Sequence, residues 1–334
     1  MISRWLLSGQ RRLLVASAVA IGMCGVAAAP AAAQAQAAEL SRELRSGVTA
    51  AGLRGHVARL AAIARRNGGN RAVGTAGYRA SAAYVHARLR AAGLDVRYQT
   101  FRYGGSSSRN VIADYSRAGT RRLVTVGAHL DSVPAGPGAN DNGSGVAAVL
   151  ALAVQVARLD PSVNVRFAFW GAEEVGLVGS RSYVGRLSRR ERARIALYLN
   201  LDMVGSPNFV RFVYRAEGRT RARRLRALAA RNILVYALRS RRLATAAVDL
   251  GGRSDHAPFQ AAGITTAGLF SGAEGVKTRR QARRFGGRAG VSYDPCYHRR
   301  CDGLANVNFR VAEQLADAAA HALAVVAVDP ARLR

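Results

Sequence analysis

Leu123-Val-Thr-Val-Gly-Ala-His129-Leu-Asp131 is an apolar, β-branched run that ends in a histidine and a carboxylate. It is followed by Asn140-Asp141-Asn142-Gly143-Ser144-Gly145, a glycine-rich turn that delivers another acid to the start of a new helix. Two further apolar runs end the same way: Val163 to Trp170 ahead of Glu173 and Glu174, and Ala196 to Leu201 ahead of Asp202. Apolar runs of this length read as strands buried on both faces. In sheets of that kind, reactive groups gather beyond the carboxyl ends of the strands. A histidine and several acids collected there suit a metal-dependent hydrolase.

Working outward, Leu53, Val57, Leu60 and Ile63 have the spacing of an amphipathic helix over 53–66, stopped by Asn67-Gly-Gly-Asn70. A second helix is predicted over 78–92, capped by Gly93, with strands over 95–103 and 110–115. Further elements are a helix over 144–158, strands over 197–204 and 263–270, and a final helix over 308–326. Alternation of strands and helices predicts an α/β fold: one globular domain with a mixed, mostly parallel central sheet and helices on both faces. The domain is expected over 45–329.

The N-terminus has the layout of a secretory signal. Arg4, Arg11 and Arg12 precede an apolar segment, Leu13 to Ala29, that ends in small residues. Residues 1–37 therefore read as signal peptide and leader, with 34–45 a polar, Ala-rich stretch that is disordered or cleaved. The mature protein is expected to be secreted, without a membrane anchor, and monomeric. Cys296 and Cys301 fit one disulfide closing a tight loop. A metal-binding pair needs more soft ligands than Tyr297, His298, Arg299 and Arg300 offer.

The chain carries 50 Lys and Arg against 20 Asp and Glu, a net charge of +30. Lys277 is the one lysine, so the excess is an arginine bias spread along the chain rather than a motif. Aromatic interleaving is missing too, and no specific nucleic-acid role is assigned.

His129 and Asp131 lie two apart on extended backbone and so face one side. Asp131 can then hold the second ring nitrogen of a metal-bound His129. Asp141 alone could be a turn residue and Ser144 a helix cap. Glu173 and Glu174 could be a helix-start pair favoured by the dipole. Turned into one cavity by Gly171 and Gly176, they could instead divide into a metal ligand and a general base. Asp202 closes a buried strand and must be paired or metal-bound. His298 lies inside the loop that the disulfide would close. His56, His86 and His321 read as structural or surface residues, while His256 either lines the pocket or supports Asp255.

Seven segments together resemble the secreted di-zinc aminopeptidases of the streptomycete type, relatives of bacterial leucyl aminopeptidase. They are Asn67-Gly-Gly-Asn-Arg71, Gly127-Ala-His-Leu-Asp-Ser132, Gly138-Ala-Asn-Asp-Asn-Gly-Ser-Gly145, Trp170-Gly-Ala-Glu-Glu174, Asn200-Leu-Asp-Met203, Gly252-Arg-Ser-Asp-His-Ala-Pro-Phe259 and Cys296-Tyr-His-Arg-Arg-Cys-Asp302. The resemblance implies a phosphorylase/hydrolase-like fold and cleavage of apolar, leucine-like N-terminal residues from peptides with a free amine. It implies two Zn2+ ions, one on His129 and Asp202, the other on Glu174 and His298, with Asp141 bridging across a cis Asp141–Asn142 bond. Glu173 is implied as general base, Tyr297 as donor to the oxyanion and Asp131 as partner of His129. Met203, Arg253 and Phe270 are implied in the substrate pocket. A glutamate expected upstream of the arginine is replaced in Ala246-Ala-Val-Asp249, where Asp249 is the nearest substitute. A Ca2+ site at Glu313 and Asp317 is the weaker reading of that pair, a solvated acidic face the stronger. Other amidohydrolases on this scaffold, such as a carboxypeptidase, dipeptidase or glutaminyl cyclase, are the alternative to an aminopeptidase, and a non-catalytic basic binding protein comes after them.

Overall fold

In the computed structural model, which describes residues 24–117, 119 and 121–333, every residue of the strands β3 (Leu123–His129) and β5 (Ile195–Leu201) is buried. These two form the middle of an eight-stranded sheet, as the unbroken apolar runs require. With β1 (Asp95–Tyr103), β2 (Ser106–Ser116), β4 (Asn164–Trp170), β6 (Phe212–Tyr214), β7 (Ala246–Val248) and β8 (Thr266–Phe270), the order is β1-β2-β4-β3-β5-β8-β6-β7. The β4-β3-β5-β8 core is parallel, whereas β1-β2, β2-β4 and β6-β8 are antiparallel. The sheet is mixed, as the alternation of elements implies.

The larger layer of helices packs on one face. It includes α1 (Cys24–Gly47), α2 (Ala50–Arg66), α3 (Ala76–Ala91), α4 (Gly143–Leu159), α7 (Arg221–Arg239) and α10 (Phe309–Val328). The other face carries α5 (Val178–Arg186), α6 (Arg189–Arg194) and α8 (His256–Ala261), with Trp170, Tyr183, Tyr198 and Phe259 packed between. A short α9 (Arg279–Phe285) lies toward the β6–β7 end of the sheet. α10 is apolar and long enough to cross a membrane, but it is mostly buried here and forms the core of the larger layer.

Local signals explain the boundaries. Thr49 accepts a hydrogen bond from Gly52 N and caps α2, and Thr75 caps α3 through Tyr78 N. Gly68 and Gly69, at φ 81° and 83°, turn the chain out of α2. Asn142, not Ser144, caps α4: its side chain accepts from Gly145 N at 3.0 Å, while Ser144 Oγ donates to Asn140 O.

Residues 34–45, expected to be disordered or cleaved, are ordered in this structure. α1 runs through them, and Ala37, Leu40, Ser41 and Leu44 are buried, with Leu40 and Leu44 in the main core and α1 packed along α10. Leu40, Leu44 and Val48 supply the apolar stripe that the alanine-rich composition hid. The charged signal segment and most of its apolar run lie outside the described residues. α7 is dense in arginine, yet its Ala227, Ala230, Leu234 and Ala237 face the core between the arginines.

Candidate metal centre

His129 is the last residue of β3 and pairs in register with Trp170, the last residue of β4. Glu173 and Glu174 follow β4 by three and four residues, and Asp202 follows β5 directly. Three adjacent parallel strands thus end at one place, and the Gly138–Gly145 turn brings Asp141 over it. The Asp141–Asn142 peptide bond is cis.

The side chains converge on the carboxylate of Asp141. Its Oδ1 lies 3.2 Å from His129 Nε2 and its Oδ2 lies 3.2 Å from His298 Nε2. Asp202 Oδ1 is 3.5 Å from His129 Nε2, and Glu174 Oε2 is 2.9 Å from His298 Nε2. One carboxylate therefore stands between two sets of donors, His129 with Asp202 and His298 with Glu174. Glu173 also comes within metal-sharing reach of His129 and Asp202.

The backbone around these groups is held in sparsely populated conformations. Ala172, Met203 and His298 all have positive φ, at 59°, 45° and 57°. A non-glycine residue there costs about 1–2 kcal/mol, which the surrounding contacts must offset. The effect is to swing Glu173 and Glu174 into the cavity together.

Asp131 differs in detail from its expected role. Its carboxylate accepts the backbone N–H groups of Glu173 (3.1 Å) and Glu174 (3.2 Å), and it is 3.8 Å from His129 Nδ1. The nearer oxygen to Nδ1, at 3.2 Å, is the Asp131 backbone carbonyl. The two amides claim the carboxylate because the turn into Glu173 leaves them without other partners.

Burial and charge crowding set the protonation of the site. Burial pushes Glu174 up to about 7, with neighbouring Asp141 adding to it. Glu173 is raised well above the ordinary carboxylate range by burial first, with Asp255, Asp202 and Glu174 adding and His129 opposing. Burial disfavours the His298 imidazolium, but its bonds to Asp141 and Glu174 outweigh that and raise it to about 10. His129 is likewise raised, against burial, by Glu173, Asp202 and Asp141. Glu174 Oε1 is buried with no hydrogen-bond partner. The donor set of imidazole nitrogens and carboxylate oxygens fits borderline divalent cations such as zinc.

Around this centre opens a cavity of about 660 Å³. Met203, Phe212, Phe270 and Tyr293 line its apolar part, and Asp249, Arg253 and Tyr297 its polar part. Met203, Asp249, Arg253 and Phe270 are all at its wall, whereas His256 is not and lines a separate small pocket with Tyr214 and Gln260. Arg253 Nη1 donates to Glu274 at 2.7 Å, and its Nη2 lies 3.4 Å from Tyr297 OH. Tyr297 stacks on His298. Cys296 and Cys301 are disulfide-bonded across that pair.

Several working residues were missed in the sequence. Ser254 Oγ donates to Asp202 at 2.5 Å and continues a buried chain through Asn200 and Tyr198 to Trp170. Asp302 accepts the amides of Asn140 and Asp141. Both sit inside segments already singled out, beside residues with a clearer role. His56 and His321 bond Tyr84 and Ser41, and His86 stacks on Tyr98, all away from the site. Glu313 accepts from Ala50 N and Asp317 pairs with Arg241, so both carboxylates are engaged by the protein.

Comparison with known proteins gives the family and the fold. The model of peptidase family M28 matches residues 110–323. The leupeptin-inactivating enzyme 1 of Streptomyces exfoliatus is 43% identical over 95% of this chain and 71% of its own length. An aminopeptidase of Pseudomonas aeruginosa is 47% identical over 63% of this chain, which spans 40% of that protein. Among solved structures, a zinc aminopeptidase from Bacillus subtilis superposes with a TM-score of 0.69 at 20% identity, covering 83% of this chain and 94% of that one.

Proposed function

The chain belongs to peptidase family M28, and from that premise we propose that it is a zinc-dependent aminopeptidase that removes apolar, leucine-like N-terminal residues from peptides. The observation that carries the reading is Asp141, whose two oxygens each lie 3.2 Å from a different histidine. His129 and Asp202 would hold one zinc, Glu174 and His298 the other, with Asp141 shared.

When bound, such a pair supplies Lewis acidity to the scissile carbonyl and makes a water acidic near pH ~7. Among the acids within metal-sharing reach of His129, Glu173 is the one that this assignment leaves uncoordinated. It takes the proton of the attacking water and returns it to the leaving amine. Burial suits it to that exchange, because it raises the proton affinity of the carboxylate toward the working pH. Tyr297 donates its hydroxyl hydrogen to the developing oxyanion, and Arg253 beside it disfavours any other orientation. Phe212, Phe270 and Met203 receive an apolar side chain, while Asp249 and Asp202 supply negative charge for a free ammonium group.

The disulfide supports a site of action outside the reducing cytoplasm. The decisive experiment compares hydrolysis of leucine-p-nitroanilide with its N-acetylated form, before and after chelation, with zinc counted on the same sample. Cleavage of the free-amine substrate alone, abolished by chelator and restored by zinc, is expected. Cleavage of the blocked substrate, or activity that survives removal of all metal, would overturn the reading.

A further inference from the structure

The segment Asn67-Gly-Gly-Asn-Arg71 gives no atom to the proposed metal centre, yet Arg71 is fully buried. The two left-handed glycines after α2 reverse the chain and send this side chain inward. There its guanidinium reaches three backbone carbonyls. Nε donates to Pro137 O at 2.9 Å, Nη2 to Gly138 O at 2.7 Å, and Nη1 to Leu130 O. Its main chain adds two more links, from Arg71 N to Ser132 Oγ and from Ser132 N to Arg71 O.

These acceptors bracket the loop that joins β3 to the Asp141 turn. Leu130 lies between His129 and Asp131, and Gly138 O also accepts the N–H of Gly143 at the start of α4. A Cβ on Gly138 would fall 2.2 Å from Asp141 O and 3.0 Å from Arg71 Nη2, so the loop closes tightly on the guanidinium. No carboxylate is among its hydrogen-bond partners; burial lowers its proton affinity, and Asp131, Asp302, Asp141 and Glu174 act against that. A guanidinium keeps its proton in such surroundings, and burying that charge is costly unless opposite charge lies near. Three carbonyls alone could be satisfied by neutral donors. The crowd of carboxylates gives a reason for a cation.

We propose that Arg71 is a positioning residue for the metal centre and its internal countercharge. It ties both ends of the 130–138 loop, and so sets Asp131 and Asp141. Its fixed positive charge holds the crowded carboxylates together when no metal is bound. The proposal rests on the two-metal reading above.

The test uses the full chain, with zinc affinity measured by competition against a chelating dye, alongside kcat, KM and unfolding temperature. Arg71→Ala is expected to bind zinc about 10- to 100-fold more weakly, the range seen when groups that orient metal ligands are removed. Its kcat should fall while KM changes little. Low-millimolar guanidinium should restore zinc affinity to Arg71→Ala, and urea, planar and similar in size but uncharged, should not. Equal rescue by urea, or unchanged affinity in a folded Arg71→Ala, overturns the proposal. Should that variant fail to fold, Arg71→Lys keeps the charge and Arg71→Gln keeps a donor. A higher unfolding temperature for the metal-free lysine variant than for the metal-free glutamine variant is expected, and the reverse order overturns the countercharge. Wild-type protein runs in the same series, so a wild type that binds no zinc marks the failure of the metal reading instead.

Discussion

Asp302 Oδ2 accepts the backbone N–H of Asp141 at 3.0 Å across 161 residues of chain, and its Oδ1 accepts the N–H of Asn140 at 2.8 Å. The residue that follows Cys301 thus grips the turn that carries the shared carboxylate. The loop bearing His298 and the turn bearing Asp141 are one mechanical unit.

Asp302→Ala should therefore act on both. It strands two buried amides, each costing about 1–3 kcal/mol. We expect a lower unfolding temperature in the metal-free protein and reduced zinc content in the loaded one. Full zinc occupancy with unchanged stability would show that Asp302 is incidental to the turn.

Glu173→Gln separates two roles that geometry alone leaves adjacent, since Glu173 is also within reach of His129 and Asp202. As general base, its loss should lower kcat by about 10²–10⁴ with two zinc ions retained. As a metal ligand, its loss would release zinc in proportion to activity. Metal analysis of the purified variant distinguishes the outcomes.

Reduction of Cys296–Cys301 should free the His298 loop. A short closed loop contributes about 2 kcal/mol in the chain-entropy account. The larger effect is expected on metal. Zinc should fall toward one equivalent, because His298 and Tyr297 lie between the two sulfurs while His129 and Asp202 do not. The double variant Cys296→Ala, Cys301→Ala gives the same readout without reductant, which itself binds zinc.

Most of the sheet was legible because its central strands are buried on both faces and read as unbroken apolar runs. The acids that end those runs marked the site for the same reason: a charge placed there needs a partner. What stayed hidden has physical causes. α7 carries so many arginines that its core-facing Ala227, Ala230 and Leu234 form no apolar period in the sequence. α1 gives little signal because Leu40 and Leu44 are scattered among polar residues and alanines. The three-residue strands β6 and β7 are too short for any period to show. Asp302 and Ser254 act through hydrogen bonds to groups far away in sequence, and no local pattern reports such bonds. The hydrogen bonds of Asp131 to two amides depend on the positive φ of Ala172, which alanine does not advertise.

His256 offers a test by pH. Its ring is buried, Nδ1 has no hydrogen-bond partner, and its edge meets Tyr214. Burial lowers its pKa to about 4, with Asp202 and Asp249 pulling weakly the other way. The folded state therefore binds the proton less readily than the unfolded state, whose histidine titrates near 6.5. The contribution is fully present above pH ~6.5 and is lost as pH falls from there toward 4, at up to about 1.4 kcal/mol per pH unit. His56, also lowered to about 4 by burial and Arg88, adds the same sign. Urea unfolding of metal-free protein at several pH values through this window should show the loss, and His256→Gln should flatten it by about one proton. An unchanged slope in that variant would mean the buried imidazole is already protonated in the fold.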